Sequence, residues 1–472
     1  MEKRKKSTVI LVIVMIAAVI AGCGGSKPVQ SSHEEVREPQ QKDSEAEKEM
    51  KIDSEIMFEE ASGVVFDLPV EMHGEEICVE VIDGIGDDFI KGVDISSVIA
   101  QEESGVVYYN ENGQEQDIFH ILADNGVNYI RVRVWNDPYD ADGNSYGGGG
   151  NDTAKAAQIG ARAAKYDMKL YVDYHYSDFW ADPSKQMCPK AWEGMEIEEK
   201  AEALGQFTEE SLQEIIDAGA LVGMVQIGNE INYGMAGETE PGRKGQLLQA
   251  ASAAVREVAD RTGNEIGIAV HFTDVSNREA TLALAQELEQ DELDYDIFAV
   301  SYYPFWHGTM DNLTQTLRQV SENYGKKVLV AENSYPYTTK DGDGTANSIG
   351  EKDILPEYPA TVQGQADEIR DVCEAVAAVG DAGIGYFYWE PAWIPVGVWE
   401  EGDDETLAGN KEIWEEYGSG WASSYASAYD PKDAGAYYGG SSWDNQALFD
   451  HYGQMLDSLK VFRYMQNGTK KE

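Results

Sequence analysis

The chain has 472 residues, which is long enough for one large barrel domain with additional segments. Its 36 Lys and Arg residues against 86 Asp and Glu residues give a formal net charge of −50, which argues against nucleic acid and anionic lipid surfaces as partners. The 26 Tyr and 10 Trp residues suit the flat faces of sugars, although most aromatic side chains serve only to fill a core.

The N-terminus has the pattern of an exported lipoprotein. Basic residues at positions 3–6 precede an uncharged apolar run at 8–20, which is too short to favour a membrane-spanning helix. The run ends in IAGC, which resembles the bacterial lipobox; an ordinary signal peptide cleaved nearby is the alternative. We therefore expect residues 1–22 to be a lipoprotein signal peptide. Cys23 would carry a lipid that holds the protein at the bacterial cell surface, outside the cytoplasm. This lipid would be the protein's only contact with the membrane.

Two short segments follow before the main domain. Residues 23–63 are rich in Ser, Gln, Glu and Lys, which predicts a disordered tether. Residues 64–87 contain an apolar alternation typical of a strand packed on the main domain, and no function follows from it. Besides Cys23 the chain has three cysteines, an odd number, so at least one should be free: Cys78, Cys188 and Cys373.

From residue 88 to residue 472 the sequence alternates between strand-like and helix-like patterns. Strands are predicted at 89–96, 129–135, 169–176, 221–230, 265–272, 296–303, 327–334 and 383–390. Helices are predicted at 117–125, 152–166, 197–218, 246–260, 277–288, 309–324 and 361–379. This order predicts a (β/α)8 TIM barrel with long loops after strands seven and eight. A doubly wound open sheet is the alternative, but it would need a Gly-rich phosphate turn after its first strand, and the four glycines at 147–150 lack that spacing.

Polar and aromatic residues cluster where the predicted strands end, which is where barrel enzymes place their chemistry. These residues are Asp94, Arg131, Arg133, Trp135, Asp173, His175, Asn229, Glu230, His271, Tyr302, Tyr303, Glu332, Trp389 and Glu390. Glu230 and Glu332 each follow a buried apolar run, where a carboxylate is out of place unless it points into a site. They predict a paired-carboxylate site on a parallel barrel.

Two carboxylates are what glycoside cleavage requires. One protonates the leaving oxygen, while the other attacks the anomeric carbon or activates water. Neighbouring carboxylates push each other's pKa apart, so that one stays protonated at neutral pH. Arg131 is positioned to keep its neighbour ionised, and Asn229 could hydrogen-bond the sugar 2-hydroxyl.

Eight stretches carry a family resemblance in the expected order: FIKGVDISS, GVNYIRVRVW, YVDYHYSDFWADP, VQIGNE, SYYPFWHG, VAENSYPYT, GIGYFYWEPAWIP and GSGWASSYA. They resemble the arabinogalactan endo-β-1,4-galactanases, a family in the large clan of retaining barrel glycoside hydrolases. The resemblance implies that Glu230 is the acid/base and Glu332 the nucleophile, with carboxyl groups about 5–5.5 Å apart. The family more often has Glu-Thr-Ser where this chain has Asn333 after Glu332, which leaves the carboxylate in place.

The candidate substrate contacts combine strand-end residues with aromatic residues of the loops. They are Arg131, His175, Asp178, Trp180, Asn229, Tyr302, Trp389 and Trp421. Trp421 lies in the segment 392–445, which is too long for a simple connection and should line a groove that binds several sugars.

The loop after strand seven has the composition of a calcium loop. Asp341, Asp343, Thr345 and Asn347 place side-chain oxygens at alternate positions between small residues. The resemblance adds a Ser and an Asp from the strand-eight loop, which fall on Ser441 and Asp444, and the family has His where this chain has Thr345. A structural Ca²⁺ that takes no part in the chemistry is therefore expected.

The sequence thus predicts a monomeric, endo-acting, retaining glycoside hydrolase. It would cleave β-1,4-galactosidic bonds in the (arabino)galactan side chains of pectin. Three alternatives remain open. Another endo-glycosidase of the clan, such as a β-mannanase, would keep both glutamates. An oligosaccharide-binding surface lipoprotein would have two open α/β lobes and no carboxylate pair. A catalytically inactive glycan-binding barrel would have lost one glutamate.

Overall fold

The computed structural model describes residues 77–469, which lie within one compact unit. Eight parallel strands close into a barrel in chain order, which confirms the predicted TIM barrel. The strands are β1 Ile90–Asp94, β2 Tyr129–Val134, β3 Lys169–Tyr174, β4 Val222–Ile227, β5 Gly267–Phe272, β6 Ile297–Ser301, β7 Lys327–Glu332 and β8 Gly383–Trp389.

Helices follow the strands and cover the outside of the barrel. They are α1 Val98–Glu103, α2 Ile118–Asp124, α3 Thr153–Ala164, α4 Ile197–Asp217, α5 Pro241–Thr262, α6 Arg278–Gln290, α7 Met310–Tyr324, α8 Val362–Ala377, α9 Asp404–Tyr417, α10 Ala434–Tyr437 and α11 Val461–Tyr464. The seven predicted helices are present. The prediction began α5 at residue 246, but Pro241 opens it, because a proline in the first turn gives up a backbone N–H that has no helical partner. The prediction missed α1, α9, α10 and α11.

The barrel strands are buried on both faces, because helices cover the outside and side chains fill the inside. Tyr171, Met224, Leu329 and Phe387 belong to the cluster of inward-facing residues. A Cβ atom on Gly92 would lie 2.2 Å from the Phe387 ring, so only glycine lets this ring cross the interior.

The chain after β8 forms a wall beside the barrel mouth. It includes α9, which begins after the N-cap Asp403 and ends at Gly418 in a left-handed conformation (φ 69°), as helices commonly do. The wall joins the loop between β2 and α3 by backbone hydrogen bonds, from Gly148 N to Gly420 O (2.7 Å) and from Ser423 N to Tyr146 O (2.8 Å). The long predicted insertion is therefore an ordered part of the barrel mouth.

The segment before the barrel is described only from residue 77. Ile77, Val79 and Ile82 are buried, so the expected packing is present, but residues 77–82 form no strand. Instead, Ile82 N donates to Met465 O and Thr469 N donates to Val79 O near the C-terminus. The predicted signal peptide, the tether and Cys23 lie outside the described residues.

The described residues contain three cysteines. Cys78, Cys188 and Cys373 are all free, where the sequence predicted that at least one of them would be. Between residues 77 and 469, no helix combines the length and the apolar character that crossing a membrane demands.

Candidate active site

Glu332 points into the barrel because strand β7 is irregular. Val300 pairs with Val330, but the next residue, Ser301, pairs with Glu332, so one residue of β7 is bulged out of the ladder. Leu329 faces the barrel interior. Regular alternation from Leu329 would send Glu332 to the helix side, and the bulge reverses this direction at the end of the strand.

Glu230 lies beyond the end of β4, after a tight turn. Gly228 has φ 101° and Glu230 has φ 46°, a left-handed conformation that costs a non-glycine residue about 1–2 kcal/mol. The Ser301 hydroxyl donates a hydrogen bond to Glu230 Oε1 (2.7 Å). This turn and this hydrogen bond hold the Glu230 carboxyl at the barrel mouth.

The two glutamates have different electrostatic surroundings. Burial, followed by the negative charge of Glu332, raises the pKa of Glu230 to about 8, so this carboxyl is protonated at neutral pH. Burial also raises the pKa of Glu332, but Arg131 opposes that rise. Arg131 Nη1 lies 2.8 Å from Glu332 Oε1, and the Tyr303 hydroxyl donates to Glu332 Oε2 (3.3 Å). The site thus pairs a proton donor with a carboxylate held beside a cation.

Arg131 binds three carboxylates at once beneath the site. Its Nη1 lies 3.0 Å from Asp94 Oδ2, its Nη2 lies 2.9 Å from Asp173 Oδ2, and its side chain is 1% exposed. Three negative partners raise its pKa despite burial. Arg131 therefore supports the carboxylates from below and offers almost no surface to a substrate.

A chain of hydrogen bonds links Asn229 to Glu230. Asn229 Oδ1 accepts from Arg131 Nη2 (3.1 Å) and lies 2.9 Å from His271 Nδ1. His271 Nε2 lies 2.9 Å from the Ser301 hydroxyl that binds Glu230. Burial and the nearby Arg131 lower the pKa of His271 well below its usual range, so the ring is neutral. Asn229 Nδ2 donates to Ala181 O (2.9 Å), which fixes the amide.

A second buried ion pair supports the aromatic residues of the site. Arg133 Nη1 lies 2.5 Å from Glu390 Oε1, and the Ser97 hydroxyl donates to the same carboxylate. The Arg133 guanidinium lies over the ring of Trp180, 4.4 Å from its centroid. This ion pair therefore fixes the height and tilt of Trp180.

Five aromatic side chains form a continuous row across the barrel mouth, which we call the aromatic belt. Its members are Trp306, Tyr303, Trp443, Trp389 and Trp180. Successive ring centroids from Trp306 to Trp180 lie 5.6, 6.2, 5.2 and 6.3 Å apart. Trp180 Nε1 then donates to Trp421 O (2.9 Å). The belt passes Glu332 at Tyr303, so it can offer apolar faces to successive sugar rings along the cleft.

The structure brings most of the predicted site residues together. Trp180 and Trp389 belong to the aromatic belt, and the backbone carbonyl of Trp421 contacts Trp180 at its end. Arg131 and Asn229 lie beneath the glutamates. His175 lies in the same lower layer, with Nε2 3.1 Å from Asp173 Oδ2 and Nδ1 accepting from Trp135 Nε1 (3.1 Å).

Two predicted substrate contacts lie elsewhere. The Tyr302 side chain is buried in the outer core and its hydroxyl donates to Gly308 O (2.8 Å), because alternate residues of β6 face opposite sides of the sheet. Asp178 accepts from Lys190 N (2.7 Å) and fixes that loop, and burial raises its pKa to about 6. The Tyr302 hydroxyl and the Asp178 carboxylate therefore bind partners other than Glu230 and Glu332.

Sequence reasoning missed Ser301, Trp306 and Trp443, and it named Tyr303 as a strand-end residue but not as a contact of the site. Strand alternation could have selected Ser301 and Tyr303 together, since both face the barrel interior. Trp443 lies between the expected metal ligands Ser441 and Asp444, and its Nε1 donates to Ser334 Oγ (2.7 Å).

The predicted calcium residues gather where the β7 and β8 loops meet. One carboxylate oxygen from each of Asp341, Asp343 and Asp444 lies within 4.8 Å of the others. Ser441 N donates to Asp343 Oδ2 (2.7 Å), and Thr345 Oγ1 accepts from Gly440 N (2.9 Å). Burial raises the pKa of Asp343 to about 7. The cluster has the oxygen donors that a hard divalent cation prefers.

Two side-chain oxygens of this cluster lack a hydrogen-bond donor. Asn347 Oδ1 and Asp444 Oδ1 are both buried and accept no hydrogen bond. A buried oxygen without a hydrogen-bond donor destabilises a fold, and a bound cation would satisfy both oxygens. The residues present therefore fit a cation site.

Comparison with known proteins agrees with this geometry. Residues 90–462 match the model of glycosyl hydrolase family 53. The endo-beta-1,4-galactanase of Bacillus subtilis is 53% identical over 398 residues, covering 84% of this chain and 91% of that protein. The arabinogalactan endo-beta-1,4-galactanase of Cellvibrio japonicus is 32% identical over 344 residues, covering 70% and 87%. The Ignisphaera aggregans GH53 catalytic domain superposes with a TM-score of 0.72 at 38% identity, covering 83% and 99%. The chain therefore belongs to glycosyl hydrolase family 53.

Proposed function

We propose that this protein is an endo-β-1,4-galactanase that cleaves galactan and the arabinogalactan side chains of pectin. The observation that carries the proposal is the unequal pair of Glu230 and Glu332. Glu230 keeps a proton at neutral pH, and Glu332 lies against Arg131. The substrate class follows from two relatives named as galactanases that cover most of the chain.

The arrangement suits a double displacement with retention at the anomeric carbon. The Glu332 carboxylate attacks that carbon while Glu230 gives its proton to the leaving glycosidic oxygen, which departs as a hydroxyl. The galactosyl–Glu332 ester then reacts with water. Glu230, now a carboxylate, takes a proton from the water as the new bond forms and Glu332 leaves. The Ser301 and Tyr303 hydroxyls hold the two carboxyls in place throughout.

The aromatic belt supports endo action. It extends to both sides of Tyr303, and Trp306 at one end is 52% exposed. A polymer can therefore lie across the glutamates with sugar rings bound on either side, so cleavage falls within the chain.

Hydrolysis of several polymers tests the proposal. The protein, its Glu332→Gln variant and the control Glu322→Gln, an exposed glutamate of α7, are incubated with β-1,4-galactan, β-mannan and xylan. We expect reducing ends from galactan alone, and a loss of roughly 10⁴-fold or more in Glu332→Gln, the scale on which removing a nucleophile acts. NMR of the first product should show the β-anomer.

The alternatives make different predictions in the same assay. Cleavage of mannan would favour a β-mannanase, and tight galactan binding without cleavage would favour a glycan-binding barrel. The closed barrel does not fit a binding protein with two open lobes.

We further propose that a structural Ca²⁺ joins the β7 and β8 loops. Asp341, Asp343, Asn347 and Asp444 would hold it, and the buried unsatisfied oxygens of Asn347 and Asp444 support this. The ion would fix the loop that carries Trp443 and so shape the cleft. Calorimetric titration of EDTA-treated protein with Ca²⁺ tests this directly, and Asp444→Asn should abolish binding.

We also propose that the protein is a monomer anchored outside the cytoplasm by a lipid on Cys23. The IAGC sequence after the apolar run supports the anchor. Cys23→Ala should move the protein from the detergent phase to the aqueous phase in a partition experiment. Light scattering of the protein without residues 1–23 tests the monomer.

A further inference from the structure

A second cavity of about 860 Å³ lies between α9 and the loop that joins β2 to α3. Its volume is in the range of sites that bind small molecules. None of the residues that line it belongs to the aromatic belt, to the two glutamates or to the calcium cluster's carboxylates. It is therefore separate from the cleft in which cleavage takes place.

The lining has the chemistry of a saccharide site. Aromatic rings come from Tyr139, Trp414, Tyr417, Tyr425 and Tyr438. Carboxylates come from Glu103, Glu412, Glu415 and Glu416, against two lysines, so an anionic ligand would be repelled. Flat apolar faces beside hydrogen-bond acceptors suit a neutral, polyhydroxylated ligand.

The cavity walls are held in place by their own hydrogen bonds. Both oxygens of Glu415 accept from Ser424, at 2.8 Å from its N–H and 2.5 Å from its hydroxyl. On the opposite wall the Tyr139 hydroxyl donates to Gly150 O (3.1 Å), and Lys155 Nζ donates to Gly149 O (2.7 Å). Across residues 77–469, Glu412 and Tyr438 make no side-chain hydrogen bond, so both can bind a ligand.

The cavity and the cleft share one short piece of chain. Ala422 pairs with Gly439, and Trp421 Nε1 donates to Tyr437 O (3.1 Å). Beside this bridge, Trp421 O accepts a hydrogen bond from Trp180 of the belt, while Ala422, Tyr438 and Gly439 line the cavity. Tyr437 and Tyr438, which directly precede Gly439 in the chain, are 73% and 49% exposed.

We infer that this cavity is a second binding site for a neutral β-galactan chain, an inference that rests on the proposed function. A polymer held there raises the local concentration of other chain segments at the cleft, which improves cleavage of long substrates without touching the chemistry. A short oligosaccharide can occupy only one of the two sites and gains nothing from the second.

The test compares long and short substrates. The double variant Tyr438→Ala/Glu412→Ala changes only exposed residues, and Tyr452→Ala, an exposed tyrosine (46%) away from the cavity, is the matched control. We expect kcat/KM on polymeric galactan to fall roughly fivefold in the double variant. Its value on galactotetraose should not change, and the control should match the parent on both substrates.

Retardation in gels that contain galactan gives an independent readout, measured in the Glu332→Gln background. The cavity variant should migrate faster than its parent. Equal migration and equal polymer activity would overturn the second site while leaving galactanase activity intact. An equal loss on galactotetraose would also overturn it, because it would place these residues in the catalytic cleft. If the parent cleaves no galactan, the proposed function fails. The retardation assay then tests the second site by itself, since it requires galactan binding and not cleavage.

Discussion

Arg131 is the residue whose replacement tests the electrostatics of the site most sharply. Arg131→Met keeps an unbranched side chain in the barrel but removes the cation shared by Asp94, Asp173 and Glu332. Breaking a buried pair from one side destabilises a protein by about 3–5 kcal/mol. Unfolding about 390 described residues has an entropy near 0.8 kcal/mol per kelvin, so Tm should fall by roughly 4–6 °C.

The same substitution should move the pH dependence of cleavage. Arg131 lowers the pKa of Glu332, so its removal raises that pKa. Glu332 must be ionised to attack, and the acidic limb of kcat/KM should therefore shift to higher pH. The limb is measured from reducing ends released between pH 4 and pH 8, and Tm by scanning calorimetry at neutral pH.

A matched arginine outside the site provides the control. Arg261 binds Glu209 at the exposed outer surface, and Arg261→Met should change stability by about 1 kcal/mol or less and leave the pH profile unaltered. An acidic limb that stays in place in Arg131→Met would refute the role given to Arg131. Should that variant fail to fold, Arg131→Lys restores the charge without the two-pronged geometry and should give a smaller shift in the same direction.

Three further predictions concern other parts of the molecule. Glu368 is buried, accepts from Asn333 Nδ2 (2.9 Å), and burial raises its pKa to about 8. Above pH 4.5 the unfolded chain releases this proton before the folded one, so the group lowers stability by about 1.4 kcal/mol per pH unit up to pH 8. Glu368→Gln should remove this slope when the free energy of unfolding is measured by denaturant titration at several pH values. The same pH dependence in the variant and the parent would contradict the prediction. Asp343→Asn should raise Tm in EDTA, because it relieves repulsion, and lower Tm in Ca²⁺; one sign in both buffers would contradict the calcium site. Trp389→Ala should raise KM for galactan roughly three- to tenfold with kcat nearly unchanged, and an effect on kcat alone would remove Trp389 from the binding surface.

Much of the barrel is predictable because each buried strand must be apolar on both faces. The runs that end near Glu230 and Glu332 stand out for that reason, and a carboxylate after such a run points to a site. The direction of the side chain is harder to predict. Alternation would place Tyr303 in the cleft and Tyr302 outside, as observed, but the same rule would turn Glu332 outward.

The rest of the site depends on long-range packing that local patterns do not contain. The sequence does not show that Trp443, beyond α9, returns to contact Trp389 at 5.2 Å between centroids. Nor does it show that the insertion encloses a cavity on its far side. Helix α9 was not predicted because the interpretation of segment 392–445 rested on its length and not on its hydrophobic periodicity.

The bulge in β7 has a consequence for how activity can be lost in this family. The direction of the Glu332 carboxylate depends on one extra residue in the ladder and not on the identity of residue 332 alone. A change in packing that paired Ala331 with Ser301 would remove the bulge and turn the carboxylate toward the helix layer. A descendant with both glutamates intact would then be catalytically silent, so an inventory of catalytic residues is not enough to tell an active barrel from a degenerate one.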